Sequence, residues 1–217
     1  MAKKLHVPPI ASDEEARALL ARYNCPVPFH EVRTRFLGNI ATPDMGASPI
    51  KLVERLWGGE LPEFNSIDAA NELIGALVMG LWNRLTLHQN RSAPFRLTRI
   101  DAQTTRQGLA ALALIRRQEL DGFVEGLFGA AEALDLPERA RRGLSDLSQM
   151  RAGFSGVFDI ATDETKAASV KDIEDTLRTT REMTRIAEHE MHAVVLSCTR
   201  ARRQMLASFP VRKPTLH

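Results

Sequence analysis

At 217 residues, with 44% apolar and 26% charged side chains, the chain has the composition of an ordinary globular protein and not of a disordered one. Its 29 basic and 27 acidic residues leave a net charge of +2, too balanced to point to nucleic acid as a partner. Two cysteines, Cys25 and Cys198, are too few and too far apart for a disulfide framework or a multi-cysteine zinc site.

The N-terminal MAKKLHVPPIAS has two lysines with no apolar run behind them, so no signal peptide is expected. Ser12 then precedes DEEARALLARY as an N-cap with acids in the first turn. Pro26, Pro28, Gly38, Pro43 and Gly46 mark residues 23–48 as a largely irregular segment, with one short helix at HEVRTRFL. Ser48-Pro49 opens IKLVERLW, closed by Gly58 and Gly59. Ser66 opens IDAANELIGALVMGLWNRLTLH, where Leu73, Leu77, Leu81 and Leu85 recur on one face. The apolar run Leu73 to Trp82 within it is too short to span a bilayer and is stopped by Asn83 and Arg84.

Thr98-x-x-Asp101 is read as a capping box for a helix through GLAALALIRRQEL, followed by a second helical stretch, DGFVEGLFGAAEAL. Gly122, Gly126 and Gly129 recur at helical spacing, at about 1 kcal/mol each against alanine, which points to another helix approaching closely there. Pro137 is taken as the first residue of PERARRGLSDLSQM, and the linker is placed at about 153–168. Ser169-x-x-Asp172 then caps a final helix to about Ser208, roughly 60 Å long. Its heptad seam is Ile173, Leu177, Thr180, Thr184, Ala187, Met191, Val194, Cys198, Ala201 and Met205. The expectation is an all-α multi-helix bundle with a long C-terminal helix. It forms a single domain over 1–217, with an N-terminal helical region at 1–100 and a C-terminal one at 101–217.

Chemistry is sparse. Glu188-His189-Glu190-Met191-His192 places two histidines three apart on a helix, the spacing for a shared metal, and defines a metal-dependent enzyme as one alternative. It matches neither the zincin motif nor the Glu-x-x-His of di-iron bundles, and counting from the seam turns His189 and His192 outward. Ser155 in GFSGV falls one residue short of a nucleophile elbow and no strand precedes it. Cys25 with His30 lacks a third group to orient it, and Trp57 and Trp82 fit a core or an interface. Arg116-Arg117, Arg139-x-Arg141-Arg142 and Arg202-Arg203 define a second alternative, a nucleic-acid-associated factor, against which acids in the same helices count. After Glu190 the chain carries only cations, Arg200, Arg202, Arg203, Arg212 and Lys213, which suit a solvated helix end. No catalytic, cofactor-binding or metal-binding residue is assigned and no cofactor is expected.

DGFVEGLFG, Asp121 to Gly129, resembles the GF-x-x-G segment of the YecA/YgfB-like family of uncharacterised bacterial helical proteins, and the ending RKPTLH, Arg212 to His217, is similar to that family's C-terminal tail. SDLSQM and SVKDIEDTLR stand where the family places a DL-containing helix and a long last helix, so the resemblance covers the chain from about residue 105. The family's N-terminal glycine-phenylalanine-leucine segment is not found, its acidic linker is reduced to DIATDET, and the zinc-binding cysteines of the YecA branch are lacking. The resemblance implies an all-helical bundle acting through protein contacts and contributes no catalytic residues. The resulting expectation is a cytoplasmic, non-enzymatic protein that binds an unidentified protein partner, with regulation as one such role, no membrane contact, nucleic acid disfavoured and a homodimer left open.

Overall fold

The computed structural model describes residues 12–208, and every regular element among them is helical. Helix α1 (Asp13–Arg22) starts at the expected cap. The Ser12 hydroxyl accepts from the Glu15 N–H at 3.1 Å, and the Glu15 carboxylate accepts from the Ser12 N–H at 2.6 Å. Helix α2 (Phe29–Ala41) corrects the reading of 23–48 as largely irregular. The prolines bracket this helix without entering it: Pro28 is its N-cap and Pro43 lies past its end. Phe36, Leu37 and Ile40 on α2 are buried, so packing supplies the stability that the local pattern does not advertise.

Helix α3 (Pro49–Arg55) is capped by Ser48 and α4 (Ile67–Ile74) by Ser66. Helix α4 passes directly into a π-helical segment, Gly75–Trp82, then α5 (Asn83–Leu85) and a 3₁₀ turn, Thr86–Gln89. The wide π turns explain the four-residue leucine spacing. In a pure α-helix each four-residue step overshoots a full turn by about 40°, whereas i→i+5 bonding under-rotates and cancels the drift. Leu73, Leu77, Leu81 and Leu85 all stay buried as a result.

Residues 90–105 contain no helix, so Thr98-x-x-Asp101 is not a capping box. Helix α6 (Arg106–Phe128) begins instead at Thr105, whose hydroxyl accepts from the Gly108 N–H at 3.0 Å. The backbone of Thr98 is committed elsewhere: its N–H donates to the Glu119 carboxylate at 2.7 Å, and its carbonyl accepts from Arg116 at 2.6 Å. Helix α6 crosses Asp121 unbroken and stops at Gly129, whose φ of +58° is open to glycine and costly for most residues, so AAEAL beyond it is not helical.

Pro137 is the N-cap of α7 (Glu138–Thr162) and not its first residue, so the helix starts one residue later than expected. This helix overrides the linker placed at about 153–168. GFSGVFDIAT is its last stretch, Phe154 is fully buried, and the true connection is the short span 163–169. Arg106 of α6 ties that connection down, donating to the carbonyls of Asp163, at 2.7 Å, and Lys166.

Helix α8 (Val170–Ser208) starts at the predicted cap, where the Ser169 hydroxyl accepts from the Asp172 N–H at 3.2 Å. Its seam is buried at Leu177, Thr180, Ala187, Met191, Val194 and Cys198, while Met205 at the far end is exposed. Helices α6, α7 and α8 form an up-down-up arrangement, and α2 runs alongside α6 in the same direction, with Glu31 beside Gly122 and Arg35 beside Gly126. One apolar core runs from Ala16 to Cys198 and joins both halves of the chain. A satellite of Ala102, Leu109, Leu112, Ala161 and Leu177 closes the end where α6 and α8 start.

Candidate functional site

The histidine cluster is divided between surface and interior. His189 is exposed, and His192 is half-buried with both ring nitrogens out of solvent and without a well-aligned hydrogen bond. Burial pushes the His192 imidazole below its ordinary value. Glu188 is already engaged, accepting from the Leu97 N–H at 3.0 Å and from Arg96 at 2.7 Å. Among the described residues no group of three or more His, Cys, Asp and Glu side chains is placed to hold a metal ion.

Cys25 and His30 are not brought together. The thiol points at the carbonyls of Val27 and Leu56, at 3.6 and 3.9 Å, and His30 bonds Gln118 of α6 at 2.9 Å. Desolvation raises the Cys25 pKa, opposite to what an activated thiolate needs, and Cys198 is pushed up to about 11 by burial. Ser155 lies within α7, far in kind from a strand-to-helix elbow.

The arginine clusters do not gather into one basic face. Arg116 is buried and paired with the buried Glu119, Arg139 pairs with Glu190 at 2.6 Å, and Arg141 and Arg142 both approach Glu138. Arg202 donates to the Thr42 carbonyl at 3.3 Å. Arg212 and Lys213, with the RKPTLH ending and residues 1–11, lie outside the described residues.

The glycine reading is upheld at two positions. A Cβ on Gly122 would lie 2.8 Å from the Glu31 carbonyl oxygen, and one on Gly126 would collide with the Arg35 carbonyl. Helix α2 therefore rests backbone-on-backbone against α6. With that side of α6 consumed by α2, its opposite flank meets α7 and leaves an apolar groove of about 380 Å³. Leu120 and Leu147 form its fully buried floor, with Val124, Phe128 and Leu144 on its walls. The charges along its rim are already matched: Asp121 is bridged to Arg151, and Glu125 to Arg35 at 2.7 Å. Val124 stays 38% exposed in this setting.

The sequence reading did not single out this groove. Its residues look like ordinary core positions until α7 is known to lie against that side of α6. The available signal was indirect, since the glycines mark the α2 side and so imply that Val124 and Phe128 face elsewhere. No described helix is long and apolar enough to cross a membrane. No protein-family model, no curated protein and no solved structure matches the chain.

Proposed function

We propose that the protein is a non-enzymatic interaction module that receives an amphipathic helix of a partner protein in the α6/α7 groove. The observation that carries this reading is an apolar, partly exposed groove whose rim charges are satisfied within the chain. Such a rim offers a ligand no strong ionic anchor, so recognition falls to apolar side chains spaced at i, i+3 or i+4, and i+7 on a helix. The commitment of Glu188 and of the arginines to internal partners, and the raised thiol pKa values, weigh in the same direction. The resemblance to YecA/YgfB-like proteins also suggests a role through protein contacts, and a regulatory role is one form it takes.

The test is affinity capture at native expression level with nuclease present, comparing the unaltered protein with Val124→Lys. Val124 is exposed enough for lysine to lift its ammonium into water, so the fold is retained. The proposal expects a stoichiometric partner that the variant loses. Equal capture by both proteins removes the groove as the contact.

A further inference from the structure

A second cavity, of about 150 Å³, opens at the corner where α2 ends, α3 lies and α6 stops. Its chemistry differs from that of the groove. Asn39 and Thr42 line it, at 6% and 2% exposure, together with Lys51, Arg55 and the Gly129 turn. The orientation of the Asn39 amide is fixed. The Trp82 indole N–H donates to its Oδ1 at 3.1 Å, and an indole nitrogen only donates, so the oxygen must face the tryptophan. This leaves the Asn39 Nδ2, on a side chain only 6% exposed, as a donor at the cavity wall with no hydrogen bond to another described residue.

The Arg55 guanidinium is half-buried and has no ion-pair partner among the described residues. It lies where a side chain on residue 129 would stand, with Nη1 2.8 Å from the position of a Gly129 Cβ, so the glycine makes room for it. Lys51 adds a second cation without an ion-pair partner among the described residues. The one carboxylate of the lining, Asp44, has its Oδ1 occupied by the Gly46 N–H at 2.8 Å. The lining therefore presents two cations and one oriented amide donor against one partly satisfied carboxylate.

We infer that this cavity binds a small oxyanion, the phosphate or carboxylate group of a small molecule, held by Arg55 and the Asn39 amide with Lys51 at the mouth. A planar guanidinium offers two parallel N–H donors to such a group, and the amide supplies a third from a fixed direction. A cavity near 150 Å³ accommodates a molecule about the size of benzene, so the group arrives on a compact ligand.

The two tryptophans provide the assay. The Trp82 indole is hydrogen-bonded to the residue that touches the anion, while the Trp57 indole donates to the Tyr23 carbonyl at 2.9 Å and serves as an internal control. In ¹⁵N-resolved spectra, inorganic phosphate and acetate are titrated separately at constant ionic strength maintained with chloride. The inference expects a saturable shift of the Trp82 indole signal with Trp57 stationary, and binding at least about tenfold weaker in Arg55→Gln. Saturation by phosphate alone or by acetate alone supports the site and identifies the group it takes. No saturable shift with either anion, or equal affinity in Arg55→Gln, overturns it. Lys51→Gln, at an exposed position, supplies a second variant with a weaker expected loss should Arg55→Gln fail to fold.

Discussion

Gly126 allows the α2 backbone to rest on α6, and the consequence is measurable. Alanine there would force backbone against backbone at the Arg35 carbonyl, where no flexible side chain can yield. Gly126→Ala is expected to lose about 3 kcal/mol or more in urea unfolding, at the upper end of overpacking costs. Gly156 is the natural comparison, because a Cβ there meets nothing within 4 Å and the residue lies inside α7. Gly156→Ala should gain about 0.5–1 kcal/mol from reduced backbone entropy in the unfolded chain. These two glycines look alike in sequence as helix-weakening residues, and their opposite roles depend on what lies beside them. The spacing of Gly122 and Gly126 made the first legible. Nothing in GFSGV distinguishes a helical glycine facing open space from a linker glycine.

His192 supplies a pH signature at the same scale. Its folded pKa lies below the ordinary 6.5 because burial disfavours the imidazolium, and His88, His189 and Arg96 nearby add to that effect. The unfolded state therefore binds the proton first as pH falls below about 6.5, and the stability held above that pH declines towards the folded pKa. His192→Gln cannot titrate and should flatten the urea midpoint between pH 7 and 5 relative to the unaltered protein. An unchanged slope would show that other groups control this range.

Among the elements, the extended span 90–105 is held by charge more than by its own propensity. Arg116 and Glu119, three residues apart on α6, are buried together. Arg116 donates to the Thr98 carbonyl and to the Thr184 hydroxyl at 3.2 Å, and Glu119 accepts the Thr98 N–H. Glu119→Ala leaves a buried guanidinium unpaired, and the expected cost is about 3–5 kcal/mol. The same variant should expose the Thr98 amide to rapid hydrogen exchange. A loss below about 1 kcal/mol, with Thr98 still protected, would contradict this role for the pair.

This pair also accounts for two misread elements. Thr98-x-x-Asp101 has the letters of a capping box, but tertiary bonds to the Thr98 backbone win over the local motif. Arg116 reads as half of a surface doublet because no local pattern reveals that Glu119 and Thr98 will desolvate it. The elements that were legible at Ser12, Ser48, Ser66 and Ser169 have their hydroxyl caps satisfied within the same turn, where sequence distance and spatial distance agree. The α8 seam was readable for a similar reason, since a heptad pattern over many turns leaves little freedom in which face packs inward.

Across the whole molecule, α6 is the shared wall. Its glycine side carries α2, its buried ion pair fastens residues 90–105, and its outer flank forms the α6/α7 groove. The all-helical class and the long last helix follow from caps and periodicity. The groove does not, because it depends on the relative placement of two helices whose sequences each look complete. The polar cavity was equally hidden, since Asn39, Lys51 and Arg55 converge only through the α2–α3 turn and the end of α6.

The groove is tested most directly by placing a photoreactive residue at Val124 in the native cell and another at exposed Gln149 on α7, and then identifying the adducts. The account predicts one defined protein cross-linked from position 124, absent from position 149, and lost when Leu144 is also changed to Glu. Adducts that are the same from both positions, or none from position 124, would contradict helix docking in the α6/α7 groove.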